Sequence, residues 1–288
     1  MREGGSATIY GILYQILHSA ERAIRISWWG RRWRGEYRSA QMVADGTTPN
    51  FYPELIQEPR DGGDVLVSEK QRRVVAQIKS RSSRPWSVRN VVEQVLPDLY
   101  KQTGSGVPTS FRFVTEGRQG RWGNVEEFFE ELGDLDGKLT DGIPDDETVQ
   151  FGNGEVITKR EFFDYIARTV VGNGKVTDET RRRTRELLGN LELEWGRNKV
   201  DVLADLQVLV RPLVEEPSDV RQTIDTVVGI LSEWGSVQAQ TVDVERLLER
   251  AGLNLRVFCA PSALREYNQV EVETAAQQLG YEPDFDDV

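Results

Sequence analysis

Three polar side chains interrupt an otherwise apolar stretch. Asp64 stands just before Val65-Leu66-Val67, while Gln77 and Lys79 alternate with residues of the run Val74-Val75-Ala76-Gln77-Ile78-Lys79-Ser80. Residues two apart on a strand share a face, so Gln77 and Lys79 point one way with Val75, and Val74, Ala76 and Ile78 point into a core. If the hairpin turns near residues 71–72, Asp64 faces Lys79 with Cβ atoms about 5 Å apart. A carboxylate, a carboxamide and an ammonium then meet at one end of the hairpin. Asp64 could bind a hard divalent cation such as Mg2+ or Mn2+, with the Gln77 carbonyl oxygen and the main-chain carbonyl of Ile78 as further oxygen ligands. Lys79 would orient or help deprotonate a water and balance charge on a phosphorane-like transition state. Glu58, six residues before Asp64, would supply a second carboxylate. Such a set suits metal-assisted hydrolysis of a phosphodiester. Asp61, in the turn Asp61-Gly62-Gly63-Asp64, competes with Asp64 as ligand; Asp64 is preferred because it sits at the strand start, where its side chain is held.

The surrounding elements are those of an α/β arrangement. Ile9, Ile12, Leu13, Ile16, Leu17, Ala20, Ala23 and Ile24 recur at helical spacing, predicting an amphipathic helix over 6–27 that packs on a sheet. Residues 28–38 mix tryptophan, glycine and arginine and read as a strand or hairpin. A second helix is expected over 86–102, N-capped by Ser87 and open to a kink at Pro97. Phe111-Arg112-Phe113-Val114-Thr115 reads as another strand. Beyond residue 123 helices are expected over 124–133, 159–171, 177–189, 198–213, 218–234, 241–251 and 261–280, with starts marked by Thr177, Ser218 and Thr241. Asn153-Gly154 suits a hairpin turn.

Composition narrows the chemistry. One histidine, His18, and one cysteine, Cys259, among 288 residues rule out a disulfide framework, cysteine zinc clusters and multi-histidine metal sites. His18 reads as a packed or partly exposed helix residue and Cys259 as a buried thiol. Glu126, Glu127, Glu130 and Glu131 read as a solvated helix face. No GxxxxGK[ST] loop is present. No apolar run approaches the ~20 residues of a spanning helix, and Arg31-Arg32 is too far in to be a twin-arginine signal, so no membrane is expected.

The formal charge of −11 hides an asymmetry: residues 1–122 hold 19 Lys+Arg and 12 Asp+Glu, a net of +7, leaving −18 on residues 123–288. Two domains are expected accordingly, a basic one over 1–122 and an acidic helical region over 123–288 that oligomerises or docks a partner. Arg72, Arg73, Arg81, Arg84 and Arg89 flank the proposed site and suit substrate phosphates. Arg25, Arg31, Arg32 and Arg34, with Trp29 or Trp33 for stacking, either grip a nucleic acid or simply cover a core that the tryptophans fill.

The spacing Asp64, twelve residues, Gln77-Ile78-Lys79 resembles the PD-(D/E)xK nuclease superfamily, in the variant whose second acid is glutamine. More closely, the chain is similar to the endonuclease domain at the N-termini of CBASS effectors and STAND-type NTPase phage sensors, a domain type also paired with HerA-type helicases. Gly11-Ile12-Leu13-Tyr14-Gln15, Glu58, Gln77-Ile78-Lys79-Ser80 and Phe111–Thr115 carry the likeness, which covers about residues 4–120. It implies a restriction-endonuclease-like mixed sheet flanked by helices, followed by a mostly helical C-terminal region. It also implies Asp64, Gln77 and Lys79 as catalytic, Glu58 next, and Gln15 as an accessory residue. The implied activity is a metal-dependent DNA endonuclease, acting on double-stranded DNA in cytoplasmic antiphage defence. Its expected partners are further copies of itself and an NTPase, helicase or sensor. The alternative is a catalytically inactive nuclease-like fold that binds nucleic acid or protein.

Overall fold

The computed structural model describes residues 10–25, 54–57, 59, 62–68, 73–80, 84–134, 143, 146–151, 155–214, 216–234, 240–242 and 244–253. Helix α1 (residues 10–25) is followed by a meander of β1 (Glu54–Gln57), β2 (Val65–Ser68) and β3 (Arg73–Lys79). Next come α2 (Val88–Gln94), α3 (Leu96–Tyr100), β4 (Thr109–Thr115) and α4 (Val125–Asp134). A separate hairpin of β5 (Thr148–Phe151) and β6 (Glu155–Thr158) leads into α5 (Lys159–Val171), α6 (Asp178–Gly189) and β7 (Leu191–Glu194). The chain continues through α7 (Lys199–Val210), a 3-10 turn at Arg211–Leu213, α8 (Asp219–Trp234), β8 (Gln240–Val242) and α9 (Val244–Arg250).

Six strands form one mixed sheet in the order β7-β4-β3-β2-β1-β8. The meander and β8 pair antiparallel, whereas β3, β4 and β7 run parallel. Parallel neighbours need crossovers, supplied by α2 and α3 between β3 and β4, and by α4 to α6 between β4 and β7. The fold is therefore the expected mixed α/β sheet flanked by helices, with helices prevailing towards the C-terminus.

Helices cover both faces of the sheet. On one side Tyr14, Leu17, Ala20 and Ile24 of α1 join Val65, Ala76, Ile78 and the apolar residues of α7, α8 and α9. On the other, Val75, Phe111 and Phe113 pack under α2 to α6. β3 is consequently buried on both faces, and Val75, expected on a polar face, is fully buried in the second core. This is why the β3 sequence is a near-continuous apolar run and not a strict alternation.

The charge boundary at residue 122 is not a boundary of the sheet, since β7 and β8 come from the acidic half. Both are short edge strands. Leu-Glu-Leu-Glu of β7 and the three residues of β8 lie among helices, and Thr241, which reads as a helix start, is instead the centre of β8. The helix expected over 86–102 is broken at Val95, where α3 begins with Pro97 in its first turn, a position at which the missing N–H costs no helical bond. Ser87 caps α2 by accepting from Asn90 N, and Thr177 caps α6 by accepting from Thr180 N. Segments 28–38 and 261–280, with Cys259, lie outside the described residues.

Candidate functional site

The end of the sheet where β2 begins and β3 finishes gathers the polar residues. The register is Val65↔Ala76, Leu66↔Val75, Val67↔Val74 and Ser68↔Arg73, so the hairpin places Gln77, not Lys79, across from Asp64. The correction is two residues, and a shift of two leaves every side chain on its own face. The ladder is pinned at both ends: Asp64 N donates to Ala76 O at 2.8 Å, and Arg73 N donates to Pro108 O at 2.9 Å.

Two glycines set the turn that delivers Asp64. Gly62 and Gly63 have φ of 101° and 83°, in the left-handed region that glycine occupies without strain. A Cβ on Gly62 would stand 2.2 Å from Asp98 O, so only glycine lets the turn lie against α3. Gln102 holds it there: its Nε2 donates to Gly62 O at 2.9 Å, while its Oε1 accepts from Arg73 Nη2 at 2.8 Å.

Asp64 is nearly buried, 8% exposed. Its Oδ2 accepts from Gln77 Nε2 at 2.6 Å and from Ile78 N at 2.5 Å, and lies 3.7 Å from Lys79 Nζ. The Gln15 side chain, reaching over from α1, also donates to the Asp64 carboxyl. Burial nevertheless raises the Asp64 pKa above the ordinary aspartate value; Lys79, the Ile78 N–H and Gln15 pull it back only in part, and Asp98 adds to the rise. Gln77 Oε1 is buried and has no hydrogen-bond partner among the described residues. Gln57 Oε1, at the end of β1, is in the same condition. Native interiors seldom leave such groups unpaired, so each calls for an explanation.

The donor chemistry fits a hard cation: a buried carboxylate short of positive charge lies beside an amide oxygen without a partner. Asp64 and Gln77 Oε1 would hold it, with the Ile78 main chain adjacent. Among the described residues no group of three or more His, Cys, Asp or Glu side chains is placed to hold a metal. Glu58, the expected second carboxylate, lies outside the described residues, as does Asp61.

Of the expected phosphate-binding residues, Arg31, Arg32, Arg34, Arg72 and Arg81 also lie outside the described residues, with Trp29 and Trp33. Arg84 is exposed just past β3. Arg73 is committed to Gln102, Arg89 to Glu93 at 2.7 Å and Arg25 to Glu21 at 2.8 Å. Glu127, Glu130 and Glu131 are exposed, as a solvated helix face requires, and Glu131 pairs with Lys159.

Several residues at this end escape sequence reasoning. Glu116 follows β4 directly, where Thr115 pairs with Lys79. It is 8% exposed, accepts from Tyr10 OH at 2.7 Å and from Lys199 N at 3.3 Å, and leaves Oε2 without a partner among the described residues. Tyr10, Glu116 and Lys199 come from three distant parts of the chain, so no spacing rule joins them. His18 and Glu21 form a second buried polar group on α1. Tyr14 and His18 rings meet edge-on at 4.6 Å, and Arg197 Nη2 lies 2.8 Å from Glu21 Oε2.

No family model matches the chain, and no curated protein matches it. Among solved structures it is similar to the SAVED/CARF-domain-containing receptor Cap4 of Acinetobacter baumannii, in a structure with the cyclic trinucleotide 2'3'3'-cAAA. The TM-score is 0.40 and the identity 13%, over 81% of this chain and 44% of the receptor. A second structure of that receptor gives the same score and identity, over 81% of this chain and 45% of the receptor chain. This chain thus spans less than half the length of the receptor it matches.

Proposed function

We propose that the chain is a metal-dependent DNA endonuclease whose site is built from Asp64, Gln77 and Lys79, with Gln15 steadying Asp64. The observation that carries this reading is the convergence of Gln77 Nε2, Ile78 N and Lys79 Nζ on a single buried carboxylate oxygen, beside an amide oxygen that has no partner. A purely structural carboxylate would be neutralised by its surroundings, whereas Asp64 is left with a raised pKa.

A bound divalent cation would polarise the phosphodiester and lower the pKa of water. The chain's own residues do the rest. Asp64 and Gln77 present oxygens at the strand ends, on a sheet buried on both sides and therefore rigid. Lys79, about one-third exposed and tethered at 3.7 Å to Asp64, can swing its ammonium to the water or to a non-bridging phosphate oxygen. There it balances the charge that grows as the water oxygen bonds to phosphorus and one bridging P–O bond breaks. The attacking water releases its proton to solvent, and the leaving oxygen takes one from solvent. Gln15 and the Ile78 N–H keep Asp64 in one orientation throughout.

By the sequence resemblance, the setting is bacterial antiphage defence, with cutting switched on by self-assembly or by an NTPase, helicase or sensor. Supercoiled plasmid incubated with Mg2+ or Mn2+ tests the site: the parent nicks and linearises it, and Asp64→Ala and Lys79→Ala do not. Cutting by Asp64→Ala at the parent's rate overturns the assignment. DNA binding without cutting by the parent and both variants identifies a catalytically inactive fold.

A further inference from the structure

Residues 84–87, after β3, and 117–122, after β4, are fastened into one ledge. Trp86 and Gln119 form a parallel bridge. Trp86 N donates to Arg118 O at 2.9 Å, and Trp86 O accepts from both Gly120 N and Trp122 Nε1 at 2.9 Å. Trp86 Nε1 donates in turn to Thr115 Oγ1 at 3.0 Å. Both indoles are buried, and the Trp86 ring meets Phe113 edge-on at 5.0 Å. Gly120 makes the closeness possible, since a Cβ there would lie 2.8 Å from Trp86 O.

From this ledge Arg84, Arg118 and Arg121 stand exposed, and among the described residues none has an ion pair or hydrogen bond through its side chain. Exposed arginines without a side-chain partner among the described residues also occur at Arg168 and Arg221, on separate helices; what sets these three apart is that they share one fastened support. Arg25, Arg89, Arg112, Arg181, Arg182, Arg197 and Arg250 each pair with a carboxylate. The acid nearest in sequence, Glu116, is buried and turned to Tyr10. In a chain with a net charge of −11, three unneutralised guanidinium groups on a stiff support are not a solubility device. A guanidinium presents planar paired donors that match phosphate oxygens, and a rigid base removes much of the entropy cost of binding. The ledge also stands next to the site, because Thr115, to which Trp86 is bonded, pairs with Lys79.

We infer that Arg84, Arg118 and Arg121 form a phosphate-binding rail that seats a DNA backbone beside Asp64 and Lys79. The choice of DNA as the polyanion rests on the nuclease reading; the rail itself rests on the ledge and its unpaired charges.

The test is binding of the full chain to a short labelled DNA duplex, followed by fluorescence anisotropy in EDTA over a range of salt. The triple variant Arg84→Gln, Arg118→Gln, Arg121→Gln should bind about tenfold or more weakly at low salt, and its log–log salt slope should be shallower by about two to three. The triple arginine-to-lysine variant should keep most of the affinity. Arg168→Gln with Arg221→Gln, both exposed on α5 and α8, should change nothing. Parent-like affinity and slope in the triple glutamine variant overturns the rail, as does an equal loss in the Arg168 and Arg221 control. Failure of the nuclease reading looks different: Asp64→Ala would cut plasmid like the parent while the triple variant still lost binding. A parent that binds no duplex at any salt overturns both.

Discussion

Glu21 and Asp64 are two carboxylates of one molecule, both almost completely buried, at 2% and 8% exposure, yet their surroundings push them in opposite directions. Burial raises the pKa of each. At Glu21 the His18 hydrogen bond and the guanidinium groups of Arg197 and Arg25 outweigh burial and bring it down to about 2. At Asp64 the single ammonium of Lys79, 3.7 Å away and partly exposed, does not compensate. The first carboxylate is a finished clamp, tying α1 to the loop after β7. The second is left short of positive charge, the condition that the proposed cation site requires.

Substitution at each carboxylate should separate these roles. Asp64→Asn is expected to lower DNA cleavage by about 10³-fold or more, yet to leave the thermal midpoint unchanged or higher, because it removes a buried charge that the fold does not neutralise. Glu21→Gln should do the reverse. It leaves the Arg197 guanidinium buried with Glu194 and Asp205 as its remaining partners. The expected loss is about 3 kcal/mol of stability, or about 6–10 °C in midpoint by calorimetry, with little change in cleavage rate where the protein is folded. A stability loss in Asp64→Asn as large as that in Glu21→Gln would erase the distinction.

Acid titration sharpens the same contrast. A depressed carboxyl contributes stability that is complete above its unfolded pKa and is lost as pH falls through its folded pKa. For Glu21 the window runs from 4.5 down to about 2, and its contribution is about 3 kcal/mol. Asp64, with a raised pKa, has the opposite sign: its ionised form costs stability, and the cost disappears as pH falls through the folded pKa. Urea melts across this range should show a shallower acid loss in Glu21→Gln than in the parent, and a steeper one in Asp64→Asn. The smallest effect belongs to the turn before Asp64. Gln102→Ala removes one hydrogen bond to Gly62 O and the partner of Arg73, costing about 1 kcal/mol and slowing cleavage about tenfold through a looser Asp64.

How far these features could be read in advance depended on whether they were local. β3 is legible because its apolar run is unbroken, and the grouping of Asp64, Gln77 and Lys79 is legible because a hairpin joins strands close in sequence. Even there the register differs from the expected one by two residues, and the β2–β3 turn that sets it, residues 69–72, lies outside the described residues. The shared face of Asp64, Gln77 and Lys79 is the same in both registers, because a shift of two preserves it. Capping serine and threonine at positions 87 and 177 were equally local. By contrast, β7 and β8 gain their strand character only from the sheet edge that they complete. Glu21 with Arg197, and Tyr10 with Glu116 and Lys199, join parts of the chain far apart in sequence and leave no local signature. Arg118 and Arg121 fall in the basic half, but only the ledge formed by Trp86 and Trp122 distinguishes them from the paired arginines.

The claim that Asp64 is an incomplete site and Glu21 a complete one is tested most directly by thermal denaturation with and without Mn2+. A cation that binds only the folded chain adds about 2.7 kcal/mol at a hundredfold excess over Kd, which is a shift of several degrees. The midpoint should rise with Mn2+ in the parent and in Glu21→Gln, and should not move in Asp64→Asn. An equal rise in Asp64→Asn, or none in the parent, would contradict the account.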